Sequence, residues 1–410
     1  MAAYSRKDFL RLTALASASL MIPKFLRGAD VQSEDILKQL FLSKTNGKRL
    51  IVVQFSGGND GLNMIVPYCD DLYHSNRPTV GIKSADVLKM NDYFGFNPAM
   101  KGISNLHQAG HFAVLNAVGY PNPNRSHFRS MDIWHSASDE DKYIQTGWVG
   151  RWLDACCNEE NARPHLAVEI DDAMSLAIKG ERMKGIATRN PKRMKLLTGD
   201  PLLMKIANDY KHHESEHQLV DYLHKTLAET SQSATYLIDK MKNAPSKSVY
   251  PQHAFGKQLK VITDLILGGS ETVIYYVSLP GFDTHAGQNN QQNRLLGVYS
   301  SAMEAFANDL KQAGFWNDTL VMTFSEFGRR VKQNASQGTD HGTANAVMFA
   351  GGSLRKSGVL NEAPDLLNLD EGDIKHTVDF RQVYATVLQN WLGTDPEIVL
   401  GRKFGMLDFI

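Results

Sequence analysis

Carboxylates, imidazoles and a hydroxyl recur in one kind of place along this chain, at the borders of short apolar runs. Asn59 and Asp60 follow LIVVQFSGG, Arg125, Ser126 and His127 come after FAVLNAV, and Asp283 and His285 come after TVIYYVSLPG. Ser325, Glu326 and Arg329 close TLVMTF, while Asp340 and His341 stand in the loop ahead of NAVMFAGG. Carboxylate oxygens with neutral imidazole nitrogens suit Zn²⁺, Mn²⁺ or iron, whereas carboxylates alone suit Mg²⁺ or Ca²⁺. Asp283 and His285 are two apart and reach one point only if the backbone turns, which Gly281 and Gly287 permit. In GTDHGTAN the adjacent side chains of Asp340 and His341 diverge on extended chain, so His341 is the stronger ligand candidate and Asp340 the weaker. Glu326 is either a ligand or the partner of Arg329 or Arg330 at a helix start.

The string NRSHF offers a second kind of chemistry. A hydroxyl at a helix start behind a strand sits among unpaired N–H groups that favour phosphate or sulfate, and Arg125 and Arg129 add bidentate partners. Ser126 is then a nucleophile activated by a metal or a base, or simply an N-cap. No GxSxG is present, which argues against an ordinary serine esterase. SGGND lacks a following GK[ST] and the dinucleotide fingerprint, so a P-loop and a Rossmann cofactor site are both rejected. His212, His213, His217 and His224 contain no HExxH and read as a solvated helix face. His135, Trp134 and Trp148 line a pocket or belong to the core.

These residues need a frame that brings distant loops to one edge. LIVVQF, FAVLNAV, HLAVEI, VIYYVSL, LVMTF and NAVMFAGG read as buried strands, with HFRSMDIWHSA and FRQVYATVLQNWLG as helices. The alternation predicts an α/β fold, a doubly wound, mostly parallel sheet flanked by helices, whose ligands bind outside the carboxyl ends of the strands. The Lys-, His- and Glu-rich stretch at about 184–265 reads as a helical insertion in one domain spanning 30–410.

Composition sets the remaining bounds. Forty-four Lys plus Arg balance forty-four Asp plus Glu, which argues against a nucleic-acid surface and leaves any anion affinity to a local pocket. Three cysteines supply no disulfide scaffold. SRKDFLR followed by LTALASASLMI makes residues 1–29 an export signal of twin-arginine type, with Lys7 where a second arginine is usual. The expected location is the periplasm, with membrane contact only through an uncleaved leader.

Together, SRKDFL, FSGGNDGLNMIVP, NPNRSHFRSMDIWHS, GFDTH, TFSEFGRR and GTDHGTAN resemble the exported bacterial family called domain of unknown function 1501. That family is similar to the alkaline phosphatase and sulfatase superfamily. The resemblance implies an alkaline-phosphatase-like domain with metal ligands at Asp60, Asp283, His285, Glu326, Asp340 and His341. It also implies a nucleophile at Ser126, with Arg125 and Arg129 stabilising developing charge. Asp283 and His285 match an Asp-x-x-x-His pair with two residues missing between them, and Phe327 stands where a histidine is usual, which weakens any second metal site. The metal expected is zinc, with manganese, calcium or magnesium as alternatives. The function implied is hydrolysis of phosphate or sulfate esters, on a small anionic ester or a decorated envelope polymer. The alternative is a catalytically degenerate binding protein for an envelope polymer or partner protein; a transferase or isomerase is a third. A two-metal site requires Asp60, Glu326, Asp283, His285 and His341 to converge within about 5–6 Å, since paired metals sit ~3.5–4 Å apart.

Overall fold

The computed structural model describes residues 47–157, 163–192, 194, 201, 218–243 and 245–410. The leader at 1–29, the histidines at 212, 213 and 217 and the side chain of His224 lie outside the described residues.

The apolar runs become the strands of one sheet. These are β1 (Arg49–Ser56), β5 (Phe112–Gly119), β6 (Ala167–Glu169), β7 (Ile186–Ala187), β8 (Ile274–Pro280), β9 (Thr319–Ser325), β10 (Asn345–Gly351), β11 (Gly358–Val359) and β12 (Val378–Asp379). β2 (Ile65–Val66), β3 (Leu88–Lys89) and β4 (Gly95–Phe96) form a small separate sheet. The main sheet runs β11-β5-β10-β9-β1-β8-β6-β7, with β12 beside β5. β1 is central and parallel to both neighbours, Leu50 pairing with Ile274 on one side and Leu320 on the other. β10 is antiparallel to both β5 and β9. That reversal puts the start of β10, and the Asp340–His341 loop before it, at the carboxyl edge of the parallel strands.

Both faces of the sheet are covered, which is why its strands are apolar throughout rather than alternating. Leu50 and Val52 face a core shared with α2 (His127–Ser136), α3 (Trp148–Cys156) and α7 (Phe380–Thr386), rich in Trp134, Trp148, Trp152 and Tyr384. Ile51, Val53 and Phe55 face the opposite core under α1 (Lys101–Gln108), α5 (Ala254–Leu267) and α6 (Gln288–Gln312). Of the stretch expected as a helical insertion, Ile186–Ala187 joins the sheet as β7 beside β6. Phe255, Leu259, Ile262 and Leu265 of α5 are core residues ahead of β8. α4 (Gln218–Asn243) precedes α5, with Leu237 in the same core. No helix among the described residues is long and apolar enough to cross a membrane.

Candidate metal centre

At the carboxyl edge, three imidazoles and one carboxylate converge. His341 Nε2 lies 3.2 Å from Asp283 Oδ1, and His285 Nε2 lies 3.0 Å from the same oxygen. His285 Nε2 and His341 Nε2 are 3.0 Å apart. His127, the first residue of α2, brings its Nε2 to 3.5 Å from Asp283 Oδ2. Donor atoms of His127, Asp283 and His341 all fall within 4.8 Å of one another. His285 flanks this inner set on the solvent side, its side chain 46% exposed.

Each imidazole is oriented through its other nitrogen, and the acceptor there fixes the tautomer. His127 Nδ1–H donates to Glu326 Oε1 at 2.8 Å, His285 Nδ1–H to Asp340 Oδ1 at 3.2 Å, and His341 Nδ1–H to the Arg125 carbonyl at 2.8 Å. A carboxylate or carbonyl can only accept, so every Nε2 turned toward Asp283 carries a lone pair while its ring is neutral. Metal-binding histidines are commonly held in this way, the second nitrogen tied to a carboxylate or carbonyl. His127 Nε2 is buried with no hydrogen-bond partner, which costs free energy unless something satisfies it. The Glu326 hydrogen bond pulls the His127 pKa above its usual value; burial opposes this, and the charges of Glu326 and Asp283 reinforce it.

Arg329 faces this group of acceptors as their counter-charge. Its fully buried guanidinium donates to Asp283 Oδ1 at 2.7 Å and to the carbonyls of Gly57, Gly58, Phe282 and Thr339. One side chain thereby ties together the loops after β1 and β8 and the loop before β10. Burial raises the Asp283 pKa, but the hydrogen bond and charge of Arg329, with the neighbouring imidazoles, outweigh it and bring it down to about 2. Asp340 is also held below its usual range, chiefly by the Asn334 amide. Gly57 has φ +117°, and a Cβ there would run into the Phe282–Asp283 backbone, so the β1 and β8 loops touch only because this residue is glycine.

The expected site residues divide sharply. Asp283, His285 and His341 are brought together, and Asp340 reaches them only through His285 Nδ1. Glu326 is buried and spent on the Gly57 N–H at 2.8 Å and on His127, so it orients an imidazole. Asp60 stands apart from the cluster. It caps the turn Gly61–Met64, accepts from Arg77 Nη1 at 2.5 Å and from Gln288 Nε2 at 2.5 Å, and is 1% exposed. The five-residue convergence needed for two metals is therefore not met. Phe327, where the resemblance expects a histidine, is buried with its ring centroid 4.8 Å from those of both His127 and His341.

The anion-binding arginines are committed elsewhere. Arg125 Nε and Nη2 pair with the buried carboxylate of Asp373. Arg129 is buried against the carbonyls of Asp139, Glu140 and Lys142 and stacks on Tyr143. Ser126 is the N-cap residue of α2, but its side chain makes no capping bond and it is exposed. It sits between Arg125, whose carbonyl holds His341, and His127. A cavity of ≈ 360 Å³ adjoins the cluster behind Phe327, lined in part by Tyr120, Trp134, Glu326, Thr343 and His376. His135 instead is buried on Gln54 at 2.8 Å, and Trp148 stacks on Tyr384 in the core. The sequence names His127 at a strand end without singling it out as a ligand. Its signal is its position, directly after Ser126 at the first turn of a helix that starts at the functional edge.

The family model described as protein of unknown function (DUF1501) matches residues 47–407. This chain belongs to that family. No curated protein matches the sequence of this DUF1501 chain. Among solved structures, it is similar to the C-terminal periplasmic domain of EcEptC from Escherichia coli, at 10% identity and a TM-score of 0.36. That match covers 75% of this chain and 73% of the other. The PsFucS1 sulfatase from Pseudoalteromonas sp. is similar at 11% identity and a TM-score of 0.38, covering 92% and 75% respectively. The phosphonate monoester hydrolase of Agrobacterium radiobacter is similar at 8% identity and a TM-score of 0.33, covering 87% and 78%.

Proposed function

We propose that this DUF1501 protein is a metal-dependent hydrolase of phosphate or sulfate esters in the cell envelope, built around one cation held by His127, Asp283 and His341 with His285 beside them. The observation that carries the reading is the convergence of three imidazole Nε2 atoms on one ionised carboxylate, with Arg329 as the donor facing them. Lone pairs packed this closely repel unless a shared proton or a cation lies among them, and a cation is the occupant this reading assigns. The residue types fit zinc: donor atoms ~2.0–2.1 Å from a tetrahedral zinc stand about 3.3–3.4 Å apart, His127 and His341 lie 3.5 Å and 3.2 Å from the Asp283 carboxylate, and the three donors as a set lie within 4.8 Å of one another, a spread a bound cation would draw in. Nitrogen-rich donors favour zinc over manganese, calcium and magnesium, which prefer oxygen ligands.

A bound cation supplies Lewis-acid polarisation of an ester oxygen and a lowered pKa for a nearby hydroxyl. The chain supplies the rest. Arg329 keeps Asp283 ionised and aligned, while Glu326, Asp340 and the Arg125 carbonyl aim the three imidazoles. Ser126 is the nucleophile in this reading, its hydroxyl free of a capping role. The first-turn N–H groups of α2 offer donors to a phosphate or sulfate, a part Arg125 and Arg129 are too committed to play. The protein acts in the periplasm or is otherwise exported, on a small anionic ester or a decorated envelope polymer.

A second reading is favoured by Phe327 and by a fourth ligand. If His285 closes the coordination sphere, the cation has no open position, and closed sites are structural. The protein would then bind an envelope polymer or partner without turnover. Turnover of aryl phosphate and aryl sulfate by metal-loaded wild type, Ser126→Ala and His285→Ala separates the two. The hydrolase reading expects one ester to be cleaved, cleavage to be lost in Ser126→Ala, and metal to be retained in His285→Ala. No cleavage of either ester by metal-loaded protein overturns it.

A further inference from the structure

Asp60 looks like a metal ligand in the sequence and stands apart from the cluster in the structure, bonded to Arg77 and Gln288, yet it connects to the cluster through a single amide. Gln288, the first residue of α6, is fully buried. Its Nε2 donates to Asp60 Oδ2 at 2.5 Å. Its Oε1 accepts from Thr339 Oγ1 at 2.5 Å and from Thr284 Oγ1 at 3.3 Å. Thr284 lies between Asp283 and His285, and Thr339 lies directly before Asp340 and His341. Both hydroxyls are buried. The two loops that carry the ligands therefore meet at one side-chain carbonyl, on the far side of the backbone from the cluster.

The direction of each hydrogen bond is forced. Asp60 accepts from the buried guanidinium of Arg77 and from the backbone N–H groups of Leu62 and Asn63, and a carboxylate can only accept. Gln288 must therefore turn its NH₂ to Asp60, which leaves its oxygen for the two threonine hydroxyls. A glutamate at 288 would set two carboxylates against each other, and an apolar residue would release both loops. The backbone strengthens the junction. The Gln288 N–H donates to the Gln337 carbonyl at 3.0 Å, and the Gly287 N–H donates to the Ser336 carbonyl at 3.1 Å. Arg329 closes it from the other side, through the Phe282 and Thr339 carbonyls.

The geometry points to Gln288 as a positioning residue for the metal cluster, oriented by the Asp60–Arg77 pair and acting through Thr284 and Thr339 on the spacing of Asp283 and His285 relative to His341. This inference rests on the metal reading of the cluster. Groups behind metal ligands set their orientation, and removing one commonly lowers affinity about 10–100-fold.

Zinc affinity, measured by competition with a chromophoric chelator, tests it on the full chain as wild type, Thr339→Val and Thr339→Ser. Thr339→Val keeps the buried volume and deletes only the hydroxyl, so it is gentler than any change at Gln288. Circular dichroism and melting of the metal-free proteins check that all three are folded. The expected result is a zinc affinity about 10–100-fold weaker in Thr339→Val and restored in Thr339→Ser. Equal affinity in wild type and Thr339→Val overturns the positioning role and leaves the metal site standing. Loss in Thr339→Val that serine does not restore also overturns it, because packing rather than the hydrogen bond then matters. A wild type that takes up no zinc overturns the metal reading itself and this inference with it.

Discussion

His285 and His341 face each other Nε2 to Nε2 at 3.0 Å, although each already spends its Nδ1–H on an acceptor outside the pair. As neutral rings they present two lone pairs to the same space, which only a shared proton or a cation satisfies. Zinc uptake should therefore displace protons, and affinity should fall as pH is lowered. The raised His127 pKa works in the same direction, since an imidazolium cannot bind a metal and its protonated form persists to higher pH than usual. Titration calorimetry in two buffers of different ionisation enthalpy measures the release. Proton release and affinity that do not change as the pH is lowered through the imidazole range would show that the nitrogens do not bind the metal.

Phe327→His tests whether the missing histidine alone abolishes a second metal site. Glu326 is held by Gly57 and His127, and Asp60 by Arg77 and Gln288, so an imidazole at 327 finds neither carboxylate free to hold a second cation with it. The expected outcome is an unchanged metal count together with a loss of stability of about 1–3 kcal/mol from burying an unpaired polar ring. Elemental analysis and denaturant unfolding check both. A second equivalent of metal would mean that Glu326 or Asp60 can be released.

Asp60→Ala should act first on folding. Arg77 has a fully buried side chain and loses its charged partner, although the Val331 and Arg330 carbonyls still accept from it. Breaking a buried pair from one side costs about 3–5 kcal/mol. Chemical denaturation of the metal-free protein measures this. A change under about 0.5 kcal/mol, as for an ordinary surface position, would contradict the structural role.

Glu169 predicts a pH-dependent stability term outside the cluster. Burial pushes its carboxyl up to about 8, against the opposing Ser175 hydrogen bonds. The folded state then binds a proton that the unfolded chain releases near its ordinary value of 4.5. Stability from this group is full below pH 4.5 and is lost as pH rises toward 8. His135, lowered to about 4 by burial, acts oppositely, gaining stability as pH rises from 4 to 6.5. Above 6.5 His135 no longer contributes, and subtracting the glutamine variant removes the contribution of the raised His127, which both proteins share. Unfolding of wild type and Glu169→Gln with chelator present should show their stability difference shifting between pH 6.5 and 8 in favour of the glutamine variant. A constant difference would mean that Glu169 is ionised throughout.

The fold was legible because buried parallel strands announce themselves as continuous apolar runs, and LIVVQF, FAVLNAV and LVMTF lie within β1, β5 and β9. The residues after them were legible as a group for the same reason. Which of them become ligands was not, because that depends on partners remote in sequence. Nothing near Asp60 signals that Arg77 and Gln288 occupy its carboxylate, and nothing near Arg125 points to Asp373. His127 was hidden by its neighbour, since a hydroxyl at a helix start draws attention away from the imidazole beside it. Similarly, the sequence up to about 265 reads as a helical insertion with a solvated face, yet α5, most of which falls in it, packs Phe255, Leu259, Ile262 and Leu265 into the core under the sheet.

The central claim is that His127, Asp283 and His341 hold one cation. Elemental analysis of the full chain, beside Asp283→Ala and His341→Ala prepared identically, tests it most directly. One equivalent of a zinc-type metal is expected in the wild type, with its loss in both variants. A metal-free wild type, or metal retained undiminished in both variants, would contradict it.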